Sequence, residues 1–375
     1  MSEISDMIQR LCPDGVEYRK IKDTVGVNRG SRLTKSQLID DGIYEVYHGS
    51  KDTPLGRYNH YNAPRYSTIV VNTGGIGGVK FLDDNFWCSD GSFWLGQVPY
   101  IEPKYLYYCL SGYEDYFYSK KRVGGVPTID RAVVEDFEIP VPPLEVQRKI
   151  VEVLDNFSEL TAELTAELEA RKKQYEYYRD NLLNFNRGGQ NVSDVKWMTL
   201  QEMSTNCDRL RKPIASSKRV SGNIPYYGAS GIVDYVQGYT CDGDFLLISE
   251  DGANLLTRTT PIAFSISGKN WVNNHAHVIS FENKFTRRFV EYYFNSISLE
   301  PYITGGAQPK LNQENLNRIL IPIPPLAEQE RIVSILDRFE ALTTDLTSGL
   351  PAEIKARQQQ YEYYRDQLLT FKRAN

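Results

Sequence analysis

Gln174-Tyr175-Glu176-Tyr177-Tyr178-Arg179-Asp180 is written a second time, letter for letter, at Gln360-Tyr361-Glu362-Tyr363-Tyr364-Arg365-Asp366. Around the first copy, Ile150, Leu154, Phe157, Thr161, Leu164, Leu168, Arg171, Tyr175, Tyr178, Leu182 and Phe185 follow at alternating steps of four and three. That is the seam of a left-handed coiled coil, broken in polarity only at Thr161 and Arg171. At 1.5 Å per residue the helix should run about 60 Å. Ile332, Leu336, Phe339, Thr343, Leu346 and Leu350 repeat the pattern, and Ile354, Arg357, Tyr361, Tyr364, Leu368 and Phe371 resume it after two successive steps of four. Such a stutter unwinds a supercoil locally, and Gly349 and Pro351 beside it predict a kink or a break.

The starts of the two helices repeat as well. Ile139-Pro140-Val141-Pro142-Pro143-Leu144 opens one and Ile321-Pro322-Ile323-Pro324-Pro325-Leu326 the other. Proline costs nothing where the helical N–H has no partner, and Glu145 suits the positive end of the dipole. The alternation predicts an α+β chain of four regions: 1–138 globular, 139–185 helical, 186–320 globular and 321–375 helical. If the helices pair antiparallel, the two mixed α/β domains sit at opposite ends about an internal pseudo-two-fold axis.

The globular regions carry the same order of elements with little identity. Gly15–Ile21, Gly42–Tyr47 and Ser67–Val71 read as strands, the last a buried one. The loop Asn72-Thr73-Gly74-Gly75-Ile76-Gly77-Gly78 follows. Val195–Leu200, Ile224–Ser230 and Asp244–Gly252 replay these, and Asn270–Asn274 replays the stretch at Trp87. Gly305-Gly306-Ala307-Gln308-Pro309-Lys310-Leu311 precedes the second helix as Gly124–Ile129 precedes the first.

Composition narrows the class. At 375 residues two domains are expected. Five scattered cysteines without a C-x-x-C fit free thiols in a reducing compartment. No apolar stretch approaches membrane-spanning length, and the start has no secretory pattern, so a cytoplasmic protein is expected. Lys plus Arg number 43 against 48 Asp plus Glu, a net charge of −5. An isolated DNA binder is usually basic, so this chain should hold nucleic acid weakly unless partners add positive surface.

With the Pro-rich helix starts followed by Gln147 and Gln329, the two Gln-Tyr-Glu-Tyr-Tyr-Arg-Asp blocks and the Gly-Gly-x-x-Pro-Lys-Leu lead-in at Gly305, the chain resembles the specificity subunit of type I restriction-modification systems. The resemblance spans essentially the whole sequence. It implies two target-recognition domains, each reading one half of a split double-stranded DNA site. It also implies an antiparallel coiled coil that spaces them and docks two modification subunits, which methylate adenine N6 and hold S-adenosylmethionine. Restriction subunits join to cleave, and the chain itself has neither catalytic site nor cofactor. The tandem Thr161-Ala162-Glu163-Leu164-Thr165-Ala166-Glu167-Leu168 implies a ruler whose copy number sets the gap. The competing readings are a structural coiled-coil adaptor without sequence preference and a stand-alone DNA-modifying enzyme.

Candidate DNA contacts follow from side-chain chemistry. Arg grips guanine bidentately and Lys neutralises phosphate, which selects Lys120, Lys121 and Arg122 in the first region and Arg209, Arg211, Lys212, Lys218 and Arg219 in the second. The parallel loops at Tyr47, His48 and Ser50 and at Tyr227 and Ser230 offer short polar groups and aromatics for base edges. Gly74 and Gly75 offer backbone N–H groups, though a tight turn is the simpler reading, and Gln308 and Lys310 lie within the second glycine lead-in. The seam positions expected in the coiled coil are Ile150, Leu154, Phe157, Leu164, Leu168, Tyr175, Tyr178, Leu182, Ile332, Leu336, Phe339, Leu346, Leu350, Tyr361, Tyr364 and Leu368. The prolines lack the Asn/Asp before them that an adenine methyltransferase loop needs. No phosphate-binding G-x-x-x-x-G-K-[ST] is present. His275 and His277 resemble a metal pair, but the matching Gly91 and Phe93 argue against ligation.

Overall fold

The computed structural model describes residues 2–185, 194–306 and 308–374. Residue 186, where the second globular region was expected to begin, lies outside them, as does Ala307 of the glycine lead-in. The chain forms two compact units, Met1–Thr165 with Glu353–Asn375, and Ala166–Ala352. Each unit therefore takes a globular region together with a part of each helical stretch.

In the first unit the buried run Ser67–Val71 is the interior strand of an antiparallel sheet, between Ser92–Leu95 and Val79–Leu82, with Val27–Arg29 at the edge. All five of its residues are buried, which is why Ile69, Val70 and Val71 follow one another without a polar alternation. A smaller sheet joins Tyr44–Tyr47 to Gly56–Tyr58 antiparallel and to Trp87–Cys88 in parallel. The entry strand Tyr18–Lys20 pairs with Glu138–Pro140, so the region is fastened at its root, immediately before the long helix begins.

The second unit repeats this plan. Phe245–Ser249 is buried between Ala276–Ser280 and Ala263–Ile266. Ser221–Gly228 pairs antiparallel with Gly231–Val236 and in parallel with Lys269–Val272. Lys196–Met198 pairs with Ile321–Ile323, closing the root again.

Leu144–Leu182 is one uninterrupted helix of 39 residues. Its start is tied down by Gln147, a fully buried side chain that accepts from the Glu102 N–H and donates to the Tyr100 and Pro142 carbonyls. Gln329 does the same for the other helical stretch, donating to the Pro324 carbonyl and accepting from the Thr286 hydroxyl. Beyond these, Tyr108 and Lys104 bond Asp155 at 2.5 and 2.8 Å, and Tyr292 and Arg288 bond Asp337 at 2.6 and 2.8 Å.

Within the first unit Ile150 and Leu154 share a core with Leu368 and Phe371, and Phe157 stacks on Tyr364 at 5.3 Å. Tyr18, next to the helix start, bonds the Phe371 carbonyl. As one segment climbs from 144 to 157 the other descends from 371 to 364, so the two are antiparallel. In the second unit Leu182 packs with Ile332 and Leu336, Tyr175 lies against Phe339, and Tyr178 stacks on Phe339 at 5.5 Å. Leu164, Leu168, Thr161 and Arg171 are half-buried on the expected stripe.

The second helical stretch is not one helix. It is divided into Leu326–Thr344 and Leu350–Leu369. Between them the Asp345 carboxylate accepts from the Thr347 N–H and hydroxyl and from Ser348, which lower its pKa to about 2. A Cβ at Gly349 would meet the Ala341 carbonyl at 2.5 Å, so the sharp return needs glycine. The break corrects one seam position: Leu346 is 77% exposed and takes no part in the stripe, because it lies in the turn, while Thr343 is buried just before it. Leu350 begins the next helix, half-buried.

Candidate nucleic-acid interface

The two globular regions share a hydrogen-bond skeleton around their loops. Trp87 Nε1 donates to the Ser31 carbonyl and Trp271 Nε1 to the Lys212 carbonyl, both at 2.7 Å. Ser89 N–H donates to the Tyr47 carbonyl as Asn273 N–H does to that of Tyr227. Ile129 N–H reaches the Asn72 carbonyl as Leu311 N–H reaches that of Glu250. A short hairpin closes between Arg122 and Thr128 in one unit and between Thr304 and Lys310 in the other. Each is bridged to the loop after the buried strand, Thr73 to Thr128 and Asp251 to Lys310.

In the first unit four loops converge through these bonds. Gly75 N–H donates to the Gly49 carbonyl at 2.7 Å, and a Cβ on Gly74, whose φ is +81°, would meet that oxygen at 2.5 Å. The glycine loop is thus a backbone-to-backbone contact, and the Gly75 N–H is already spent. His48 Nδ1 accepts from the Gly91 N–H and lies 3.2 Å from the Ser89 hydroxyl, which puts the hydrogen of a neutral ring on Nε2. Ser50 Oγ accepts from Asp52 and Thr53. Tyr47 leaves the candidate readers: its ring is 2% exposed, and its hydroxyl donates to Glu45. Val46 and Tyr47 at the end of the strand are both buried, so core covers both of its faces there.

The basic run lies on the hairpin side of the same loops. Lys120 sits over the Tyr116 ring at 5.3 Å and Lys121 over Tyr118 at 3.5 Å, while Arg122 pairs with Asp130. Neither lysine makes an ion pair with a described residue. The hairpin tip carries two residues that sequence reading passed over, Val123 and Val126, 81% and 80% exposed. Their only signal in the sequence is that apolar residues flank a glycine pair where no strand or helix pattern exists to bury them.

The cations of the second unit divide in two. Arg211 is paired with Asp208 at 3.1 Å and with Glu250, and Lys310 reaches Glu250 at 3.1 Å. Arg219 pairs with Asp234, donates to the Ile214 carbonyl and covers the Tyr226 ring. Arg211 and Arg219 are therefore largely buried structural cations rather than open contacts. Arg209, Lys212 and Lys218 are exposed and make no ion pair with a described residue, and Lys212 lies 5.9 Å from the Trp271 ring. Ser230 and Gln308 are exposed, and Tyr227 is half-buried against Phe264.

The two histidines face different partners. His277, 1% exposed, meets Asp208 at 2.7 Å through Nδ1 and the Leu311 carbonyl at 2.9 Å through Nε2. A carbonyl only accepts, so Nε2 carries hydrogen. His275 meets Asp251 at 2.9 Å. Burial pushes Asp208 up, and the His277 bond, the Val278 N–H and Arg211 outweigh it and hold the carboxyl below its ordinary value. Glu250 is likewise held down by Arg211, Lys310 and His277 against its burial. Strand register puts His277 opposite Ile248 as Phe93 is opposite Val70, so Phe93 is its counterpart. Among the described residues no group of three or more metal-ligating side chains occurs, and no helix is long and apolar enough to cross a membrane.

Comparison with known proteins returns one family, type I restriction modification DNA specificity domain, matching residues 13–171 and again 193–356. A putative type I restriction enzyme specificity subunit of Haemophilus influenzae is 46% identical over 187 residues, 49% of this chain and 48% of that protein. The EcoR124I/EcoR124II specificity subunit of Escherichia coli is 33% identical, covering 72% of this chain and 70% of the relative. Among solved structures, the S subunit of a type I restriction-modification system from M. genitalium matches with a TM-score of 0.65 at 18% identity, over 95% of this chain and 96% of that one.

Proposed function

Because the chain belongs to the type I restriction modification DNA specificity family, we propose that it is the non-catalytic recognition subunit of a cytoplasmic restriction-modification complex. Each unit reads one half of a bipartite, asymmetric DNA site. The helical stretches set the gap between the halves and dock two modification subunits. Those subunits bind S-adenosylmethionine and methylate adenine N6, and restriction subunits complete the assembly. The observation that carries this reading is the doubled loop skeleton: Trp87 with Ser31 and Trp271 with Lys212 hold one backbone frame, while the side chains on it differ. Two frames with different side chains suit two unlike half-sites, since phosphate contacts position and base contacts specify. The net charge of −5 supports a division in which the partners supply part of the DNA affinity.

The test is the methylome of cells expressing this chain with its modification subunits. A split motif with a methylated adenine is expected, and a contiguous motif or no methylation overturns the reading. The spacer is tested separately by inserting one further Thr-Ala-Glu-Leu after Leu168. Four residues add about 6 Å of helix, so the gap should widen by about one or two steps of roughly 3.4 Å with both halves unchanged. An unaltered gap removes the ruler.

A further inference from the structure

We propose that the hairpin tip Val123–Pro127 of the first unit enters the major groove and reads thymine methyl groups, an assignment that rests on the DNA-reading function above. Val123 and Val126 are four-fifths exposed. Between them Gly124 and Gly125 hold φ of +144° and +116°, and a Cβ on either would find nothing within 4 Å. The tip thus stands clear of the rest of its unit. Its root is rigid: Arg122 N–H bonds the Thr128 carbonyl at 2.8 Å, Thr73 pairs with Thr128, and Ile129 N–H bonds the Asn72 carbonyl.

Charge next to the tip selects the partner. Lys120 and Lys121 precede it without an ion pair to a described residue, held over the Tyr116 and Tyr118 rings. Two lysines at the root of a projecting hairpin loop complement phosphates on either side of a groove. The major groove is the wider one and admits such a projection, and the one apolar group there on a base edge is the thymine C5 methyl. Valine offers only methyl groups, so thymine is the base it matches. The second unit's hairpin has Gly305, Gly306 and exposed Gln308 in this place and no such apolar pair. Thymine-methyl reading by this valine pair is therefore assigned to the half-site of the first unit.

The experiment uses the full chain assembled with its modification subunits and duplexes carrying its mapped site. Deoxyuridine replaces thymine in each half in turn, against wild type and V123A/V126A, with V123T/V126T as a variant that keeps the branched shape. Loss of one buried methyl weakens binding about fourfold, so V123A/V126A should lose on the order of tenfold. In one half, deoxyuridine should weaken wild type about fourfold and leave V123A/V126A unchanged, a coupling that a merely structural valine would not produce. V123T/V126T should show a reduced deoxyuridine effect. Equal deoxyuridine effects in wild type and variant in both halves, or a site with no thymine in either half, overturn the proposal. If the assembled wild type prefers no sequence at all, the recognition function itself fails. Sequence preference that persists with uncoupled methyls sinks only the hairpin assignment.

Discussion

The two globular regions hang on the same backbone bonds and fill the space between them with opposite chemistry. Where the first unit has Phe93, Asn72 and Thr128, the second has His277, Glu250 and Lys310, joined by Arg211 and Asp208 into one charged network. The first solution is uncharged; the second buries charge and offsets its desolvation with paired, hydrogen-bonded partners. The comparison teaches that bonds onto main-chain carbonyls, such as those from the Trp87 and Trp271 indoles, fix where the loops stand. Side chains on that frame can then diverge as far as local compensation permits.

The largest expected effect tests what the units share. Leu154 and Leu336 are both fully buried at matching helix positions. Leu154→Ala and Leu336→Ala should each cost about 2–5 kcal/mol, and by similar amounts, measured by denaturant unfolding. A large difference between them would break the equivalence of the two helix seats. Next comes Asp208→Asn, which leaves buried His277 without the carboxylate it bonds and Arg211 with Glu250 alone. A loss of about 3 kcal/mol is expected, read by hydrogen exchange as faster opening at Leu246–Ile248 with Ile69–Val71 unchanged.

The same network carries a pH dependence of defined sign. Asp208 and Glu250 are held below their ordinary values of 3.8 and 4.5. Their stabilisation is complete above those values and is lost as pH falls through the lowered folded ones. Acidification below about pH 4 should therefore speed exchange in the second unit's buried strand before the first's. Equal acid sensitivity would mean that the network contributes nothing specific to its unit. Smallest of all, Leu346→Lys should change stability by less than about 0.5 kcal/mol, whereas the heptad reading would make it a core substitution.

Most of the architecture was legible because it is periodic. The four-three spacing placed the long helix, the paired prolines its start, and Gly349 with Pro351 the interruption of the second stretch. The buried strands and glycine loops were found from apolar runs and punctuation, and the match of His275 and His277 to Gly91 and Phe93 agrees with the strand register. The candidate contacts were less legible. Arg211 and Arg219 look like any other surface cation in sequence, and their pairing with Asp208, Glu250 and Asp234 depends on residues up to 39 positions away. Tyr47 is buried beside Val46 at the end of its strand, which a four-residue strand next to a loop does not announce.

The sequence by itself determined the duplication, the helical seam and the order of elements, because periodic burial and proline or glycine geometry act over a few neighbouring residues. Only the tertiary structure decided which cations remain open, that Leu346 turns outward, and that Val123 and Val126 stand uncovered. Those outcomes depend on which distant groups meet, and a carboxylate brought alongside an arginine by folding changes its role without any mark in the local sequence.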